Sequence, residues 1–246
     1  MKKRNLHKIE DVFPDEFYTE LKRCPIAYLT CGGVENHGPH NALGTDGLIS
    51  YDIAVRAAEI SGGLVYPPVF LGVPCWHCMP WEELRSTPNE IYRPSIWHSR
   101  ELILQFYEET FWNLERLGFR VCIVIPGHAP NANLLKEYFK DKGDSYGKMK
   151  LQNVIIWAKD FISDFDPEEL DHAGVWESSL LAALHPELSD PERVNMDLKT
   201  FPPEVVMNWR PEHLSPEKIT KERVTLYLEH TILKIAEEAV KLLKQQ

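Results

Sequence analysis

The chain is short of several things that would have narrowed its role at once. It has no run of about 18 uninterrupted apolar residues, so no segment reads as a membrane-spanning helix. Basic residues are the minority charge: 27 Lys and Arg stand against 37 Asp and Glu, a formal charge of −10. No basic stripe offers itself to a phosphate backbone, so neither nucleic acid nor membrane is expected as a partner. Cysteines number only five, too few and too scattered for a disulfide framework, and a reducing, cytoplasmic setting is expected. The basic opening MKKR is not followed by the apolar stretch of a secretory signal. There is no internal repeat and no low-complexity linker, and 246 residues suit one domain with a substantial core.

What is present alternates between buried strands and amphipathic helices. Pro25 to Thr30 reads as a strand that stops at Cys31-Gly32-Gly33. Leu48 to Ile60 has helical spacing and ends at Gly62-Gly63. A second strand starts at Leu64 and meets two prolines. Ser95 to Leu117 reads as a long amphipathic helix closed by Gly118, and Val121 to Pro126 as the clearest buried strand. Leu134 to Lys140 continues as a helix, and Asn153 to Asp160 (NVIIWAKD) reads as a fourth strand. An acidic loop follows, then a helix from about Val175 to Leu184. The stretch 185–220 is Pro-rich, and a terminal helix spans about 222–244, with Leu226, Ile232, Ile235, Ala239 and Leu242 on its apolar stripe. This alternation predicts an α/β fold: one three-layer α/β/α domain over residues 1–246 with a mainly parallel central sheet.

Against that background the stretch GGVENHGPHNALGTD, Gly32 to Asp46, stands out. It gathers a glutamate, two histidines and an aspartate among glycines, with few apolar side chains. In open α/β sheets, ligands bind beyond the carboxyl ends of the strands, and the polar clusters obey that rule. Glu35 and His37 follow the first strand, His128 the third, and His172 and Glu177 the fourth. Asp46 opens a helix, where backbone donors favour an ionised carboxylate, and its two oxygens can bridge two metal ions. Glu35, His37, Asp46, His128 and Glu177 make three carboxylates and two imidazoles. That set suits two divalent ions, zinc foremost and manganese or iron also, in a hydrolytic site, and does not suit thiolate chemistry. Each motif alone is weak, and a Gly/Pro/Asn turn with Asp46 as a helix cap explains the first one adequately. Their coincidence after three separate strands is what carries weight.

Taken together, the motifs resemble the creatininase family. GGVENHGPHNALGTD is similar to its Glu-x-His-Gly-x-His run leading to Gly-Thr-Asp. GFRVCIVIPGHAPN is similar to its strand ending in Asn-Gly-His-Gly-Gly-Asn, and DHAGVWESSLLAALHPEL to its His-Ala-Gly-x-x-Glu-Thr-Ser helix start. The order matches, and residues 25–190 carry the likeness. The resemblance implies an α/β/α domain with a dinuclear metal centre, assembled as a homo-oligomer, usually a hexamer. It implies Glu35 and His37 each on one metal, Asp46 bridging, His128 and Glu177 completing the two sets, and His172 as the acid/base group beside Glu177. It also implies hydrolysis of a C–N bond in a small, cyclic amide by a metal-bridging hydroxide.

The departures are specific. Creatininase proper has a glutamate ligand two residues beyond the histidine where this chain has Pro130, which shifts the fifth ligand to Glu177 and sets creatinine itself in doubt. Ser178 replaces the usual threonine. For substrate contact the candidates are His40, Trp76, His77 and Trp176; His40 also suits a group that orients a ligand, and each tryptophan also suits a core or interface. The Cys75-Trp76-His77-Cys78 segment lacks a second pair for a structural zinc and reads as loop packing. Two other functions are compatible with the same residues: opening of a cyclic diketone or lactone in carbohydrate or polyol catabolism, and a non-catalytic ligand-binding or scaffold role.

Overall fold

The computed structural model describes residues 4–74, 82, 94–157, 172–196 and 214–246. Trp76, His77 and the rest of the Cys75–Cys78 segment lie outside the described residues, as do the acidic stretch 160–171 and residues 197–213. The elements in chain order are α1 (Pro14–Arg23), β1 (Ile26–Cys31), α2 (Thr45–Ser61), β2 (Leu64–Val65), α3 (Arg100–Leu117) and β3 (Val121–Pro126). They continue with α4 (Ala129–Lys142), β4 (Ser145–Tyr146), β5 (Met149–Asn153), α5 (Val175–Leu184) and α6 (Lys221–Lys244).

The sheet runs β2-β1-β3-β5-β4. All its pairings are parallel except that of β4 with β5. Alternation along the strands sorts the core into two layers. Ile26 and Tyr28 of β1 and Val121, Ile123 and Ile125 of β3 face α2, α5 and α6. Ala27, Leu29 and Cys31, with Cys122 and Val124, face Leu21 of α1, Tyr107 and Phe111 of α3 and Leu134 of α4. Both faces are thus covered, which is why β3 is apolar throughout, β1 is apolar but for Thr30, and every one of their residues is buried.

Several elements differ from the sequence reading. The strand expected at Asn153–Asp160, of which residues 158–160 lie outside the described residues, is instead β5, Met149–Asn153. Lying near the sheet margin, it buries Met149 and Leu151 while Lys150 is exposed, so its signal is an alternation. The apolar run Val154 to Ile156 instead leaves the strand and packs on the α2/α5/α6 side. The helix expected from Ser95 begins at Arg100, because the Ser99 side chain caps it by accepting the Leu102 N–H at 3.2 Å. Residues 95–98 are therefore free to run across the strand ends. On α6, Leu226 is 78% exposed and off the buried stripe, which is formed by Val224, Tyr227, Leu228, Ile232, Ile235 and Ala239. The helix α1 was not read from the sequence, although Pro14 opens it and Glu16 reaches back to the Phe13 N–H at 2.8 Å.

Candidate metal centre

The topology decides where polar side chains can converge. From β1 the chain crosses by α2 to β2 on one side, then returns by α3 to β3 on the other, so a crevice opens beyond the carboxyl ends of β1 and β3. The first turn of α2 is seated in that crevice. Two glycines, one just past each strand, permit it: a Cβ on Gly32 would lie 2.4 Å from the Gly47 nitrogen, and one on Gly127 only 2.0 Å from the Asp46 carbonyl oxygen. Asp46, in that first turn, is thereby delivered between Glu35, which follows β1, and His128, which follows β3. Helix N-terminal donors favour its ionised form.

Three histidines are oriented in the same way, each by a backbone carbonyl. His37 bonds the Glu35 carbonyl through Nδ1 at 3.0 Å, His128 the Val73 carbonyl through Nε2 at 2.8 Å, and His172 the Asn36 carbonyl through Nε2 at 2.8 Å. A carbonyl oxygen only accepts, so the nitrogen bonded to it carries the hydrogen. The other nitrogen of each ring is turned inward, which is how metal-binding histidines are held. His37 Nε2 lies 2.9 Å from Asp46 Oδ1 and 3.5 Å from Glu177 Oε2. His128 Nδ1 lies 3.0 Å from Asp46 Oδ2 and 3.1 Å from Glu35 Oε2. His172 Nδ1 lies 4.0 Å from Glu35 Oε2.

The donor atoms fall into sets whose members all lie within 4.8 Å of one another: Glu35, Asp46 and His128; His37, Asp46 and Glu177; and Glu35, His37 and His172. The first two share Asp46, one oxygen to each, and this mixed carboxylate–imidazole composition fits two divalent ions. Electrostatics agrees with that fit. Burial alone would raise the carboxyls and lower the imidazoles, but opposite charges outweigh it. Glu35 is held below the usual carboxylate range by His128 and His172, and Asp46 well below it by His37 and His128. His37 is raised by Glu177 and Asp46, and His128 is pushed up to about 10 by Asp46 and Glu35. Buried carboxylates at this density need positive charge beside them, from imidazolium or from metal ions.

Glu177 stands in the first turn of α5, and its Oε2 also accepts the Ala173 N–H at 2.7 Å. Ala173 has φ +52°, a left-handed conformation that costs a non-glycine residue roughly 1–3 kcal/mol. Pro130, in the first turn of α4, offers no donor, so the carboxylate facing His37 and Asp46 comes from Glu177.

The other candidates part company. His40 is buried against Ser178, its Nε2 2.9 Å from Ser178 Oγ, so it packs behind Glu177. Trp176 does not line the centre: it is 4% exposed and meets the ring of Tyr227 edge-on at 5.5 Å. Its place in the helix turns it toward α6 and the core.

Two groups escaped the sequence reading. Trp97 stacks on the His128 ring at 5.8 Å between centroids, in the stretch that had been assigned to a helix. Asn131 is fully buried; it donates to the Leu71 carbonyl at 2.7 Å and accepts the Val73 N–H at 3.1 Å, fixing the residue whose carbonyl orients His128. Its position in the motif after His128 was the available signal.

The family model for creatininase, described as creatinine amidohydrolase, matches residues 11–236. The chain belongs to the creatininase family. The creatinine amidohydrolase of Pseudomonas putida is 25% identical over 193 residues, covering 72% of each chain. A Zn–Zn form of a glutamate-to-glutamine creatininase mutant superposes with a TM-score of 0.70 at 21% identity, over 96% of this chain and 97% of that one. A manganese form gives 0.69 at 23% identity, over 94% and 96%. At these identities the solved structures establish the creatininase fold, an α/β arrangement with helices on both sides of a mostly parallel sheet.

Proposed function

We propose that this creatininase-family chain is a metal-dependent amidohydrolase that holds two divalent ions. Glu35, Asp46 and His128 would hold one, and His37, Asp46 and Glu177 the other, with Asp46 shared. The observation that carries the reading is the division of Asp46, whose Oδ1 faces His37 and whose Oδ2 faces His128. The three inward-turned imidazoles support it, since their other nitrogens are already committed to carbonyls. Zinc is favoured, with manganese next, on the donor set and on the metal forms in which similar creatininases occur.

Such a metal pair lowers the pKa of a coordinated water and polarises a substrate carbonyl. The chain's own residues do the rest. Glu35, Asp46 and Glu177 would supply the negative charge that holds the ions. His172 stands at the open edge of the cluster, its side chain 24% exposed, with its ring 4.5 Å from that of His37. Its Nε2–H is held by the Asn36 carbonyl, so Nδ1 is the atom that can receive a proton and pass it to a leaving nitrogen. The substrate class is a small amide, and a cyclic one by family resemblance.

The test is to measure metal content of protein purified without chelators and to assay ring opening of cyclic amides beside lactones and cyclic diketones. About two transition-metal ions per chain, and amide turnover that stops on chelation and returns on adding zinc or manganese, are expected. Full amide hydrolysis by metal-stripped protein would contradict the reading. Turnover of only the diketones or lactones would keep the metal centre and replace the reaction.

A further inference from the structure

Three buried side chains behind the cluster form a knot that no part of the proposed chemistry uses. Ser178 is fully buried, and three groups meet at its Oγ: His40 Nε2 at 2.9 Å, Asn41 Nδ2 at 2.8 Å and the Ala173 carbonyl at 3.2 Å. The Ala173 carbonyl only accepts, so the hydroxyl hydrogen goes to it, and Asn41 Nδ2 and His40 Nε2 then donate to the hydroxyl oxygen. Asn41 is fixed in turn, its Oδ1 accepting from Ser189 Oγ at 3.0 Å. The His40 carbonyl accepts the Asp190 N–H at 2.8 Å, and the Ala42 N–H bonds the Leu188 carbonyl at 3.0 Å. The loop that carries Glu35 and His37 is thus laced to the first half of α5 and to the segment 188–190 that follows it.

What the knot holds is a strained turn. Ala173 keeps its left-handed φ of +52° while its N–H points at Glu177 Oε2 and its carbonyl at Ser178. The turn joins His172 to Glu177, the two helix-borne members of the cluster. We infer that Ser178, clamped by His40 and Asn41, is a positioning residue that holds the Ala173 turn and thereby sets Glu177 and His172 against the donors of the Gly32–Asp46 loop. The inference rests on the two-metal reading and deepens it, because it acts on one ion and not the other. Glu177, whose carboxylate bonds the Ala173 turn that Ser178 holds, belongs to the set with His37, whereas Glu35 and His128 belong to the other.

The experiment is a stepwise Zn²⁺ titration of metal-free full-length protein, wild type beside Ser178→Ala, Ser178→Thr and Asn41→Ala, with thermal unfolding run on each. Wild type is expected to take up two ions. Ser178→Ala should keep one at wild-type affinity and bind the other about 10–100-fold more weakly, the scale seen for outer-shell partners of metal ligands. Ser178→Thr keeps the hydroxyl and should restore the second ion. Asn41→Ala should weaken that same ion by a smaller factor, which keeps the test usable should Ser178→Ala fail to fold. Equal affinities in wild type and both alanine variants, or equal weakening of both ions, would overturn the positioning role alone. A wild type that binds fewer than two ions would overturn the two-metal reading and this inference with it.

Discussion

The cluster has two halves that are held in different ways. Glu35 and His128 have side chains only 1% and 4% exposed. They follow the two central strands, and His128 is braced by the Val73 carbonyl and the Trp97 ring. Glu177 and His172 have side chains 14% and 24% exposed and stand on a turn and helix outside the sheet. One half is dry and set by the sheet; the other is wetter and set by packing between loops. Charge interactions are stronger where water is excluded, so the strand-borne half is suited to holding an ion firmly. In the proposed reaction the helix-borne half, being the more exposed, would be where an amide and its leaving group reach the protein. Asp46, 2% exposed, joins the two.

The sharpest way to break this comparison is to remove the shared residue. Asp46→Ala should lose both ions and reduce turnover by roughly 10⁴-fold or more, the scale for one member of a group that acts as a unit. Metal analysis and steady-state assay read it, and a variant retaining one ion at full affinity would mean that Asp46 does not join the halves. Next comes the seat of Asp46. Gly127→Ala places a methyl against the Asp46 carbonyl, a backbone atom that cannot swing away, and should cost about 3 kcal/mol, the upper end for overpacking. Urea unfolding measures that loss; an unchanged midpoint would show that α2 is not seated between the strand ends.

Two further changes should separate the halves. Glu177→Gln removes a carboxylate from the helix-borne set only, so one ion per chain should remain while kcat/KM falls by roughly 10²–10³-fold. Loss of both ions would make the halves one indivisible unit. Asn131→Ala acts on the other half by releasing Val73. It should cost roughly 1–3 kcal/mol for its lost buried hydrogen bonds and weaken the Glu35/His128 ion about tenfold, with the Glu177 ion unaffected. Calorimetric titration of each ion reads this last and smallest effect.

Much of the sheet-borne half was legible in the sequence for a physical reason. Strands covered on both faces must be continuously apolar, so β1 and β3 announced themselves, and the polar residues just past them could be placed at one sheet edge. The helix-borne members were legible through the start of α5. The fold failed to show where burial is one-sided or local chemistry intervenes. Only Met149 and Leu151 mark β5, and the stronger apolar run beside it belongs to the core of the opposite face. Ser99 caps α3 five residues later than helical spacing suggested, which hid Trp97 in an expected helix. Trp176 was a candidate for substrate contact, yet adjacent residues on a helix point about 100° apart, and this neighbour of Glu177 turns into the core. Asn131 and Ser178 bond groups far away in sequence, at Leu71, Val73, His40 and Asn41, and no local pattern encodes such partners.

The most direct test of the account is a crystal structure of zinc-loaded protein with anomalous data collected on both sides of the zinc edge. The account predicts two anomalous peaks per chain, one contacting Glu35 and His128 and the other His37 and Glu177, with one oxygen of Asp46 on each. A single peak, or two peaks with Asp46 bound to only one of them, would contradict it.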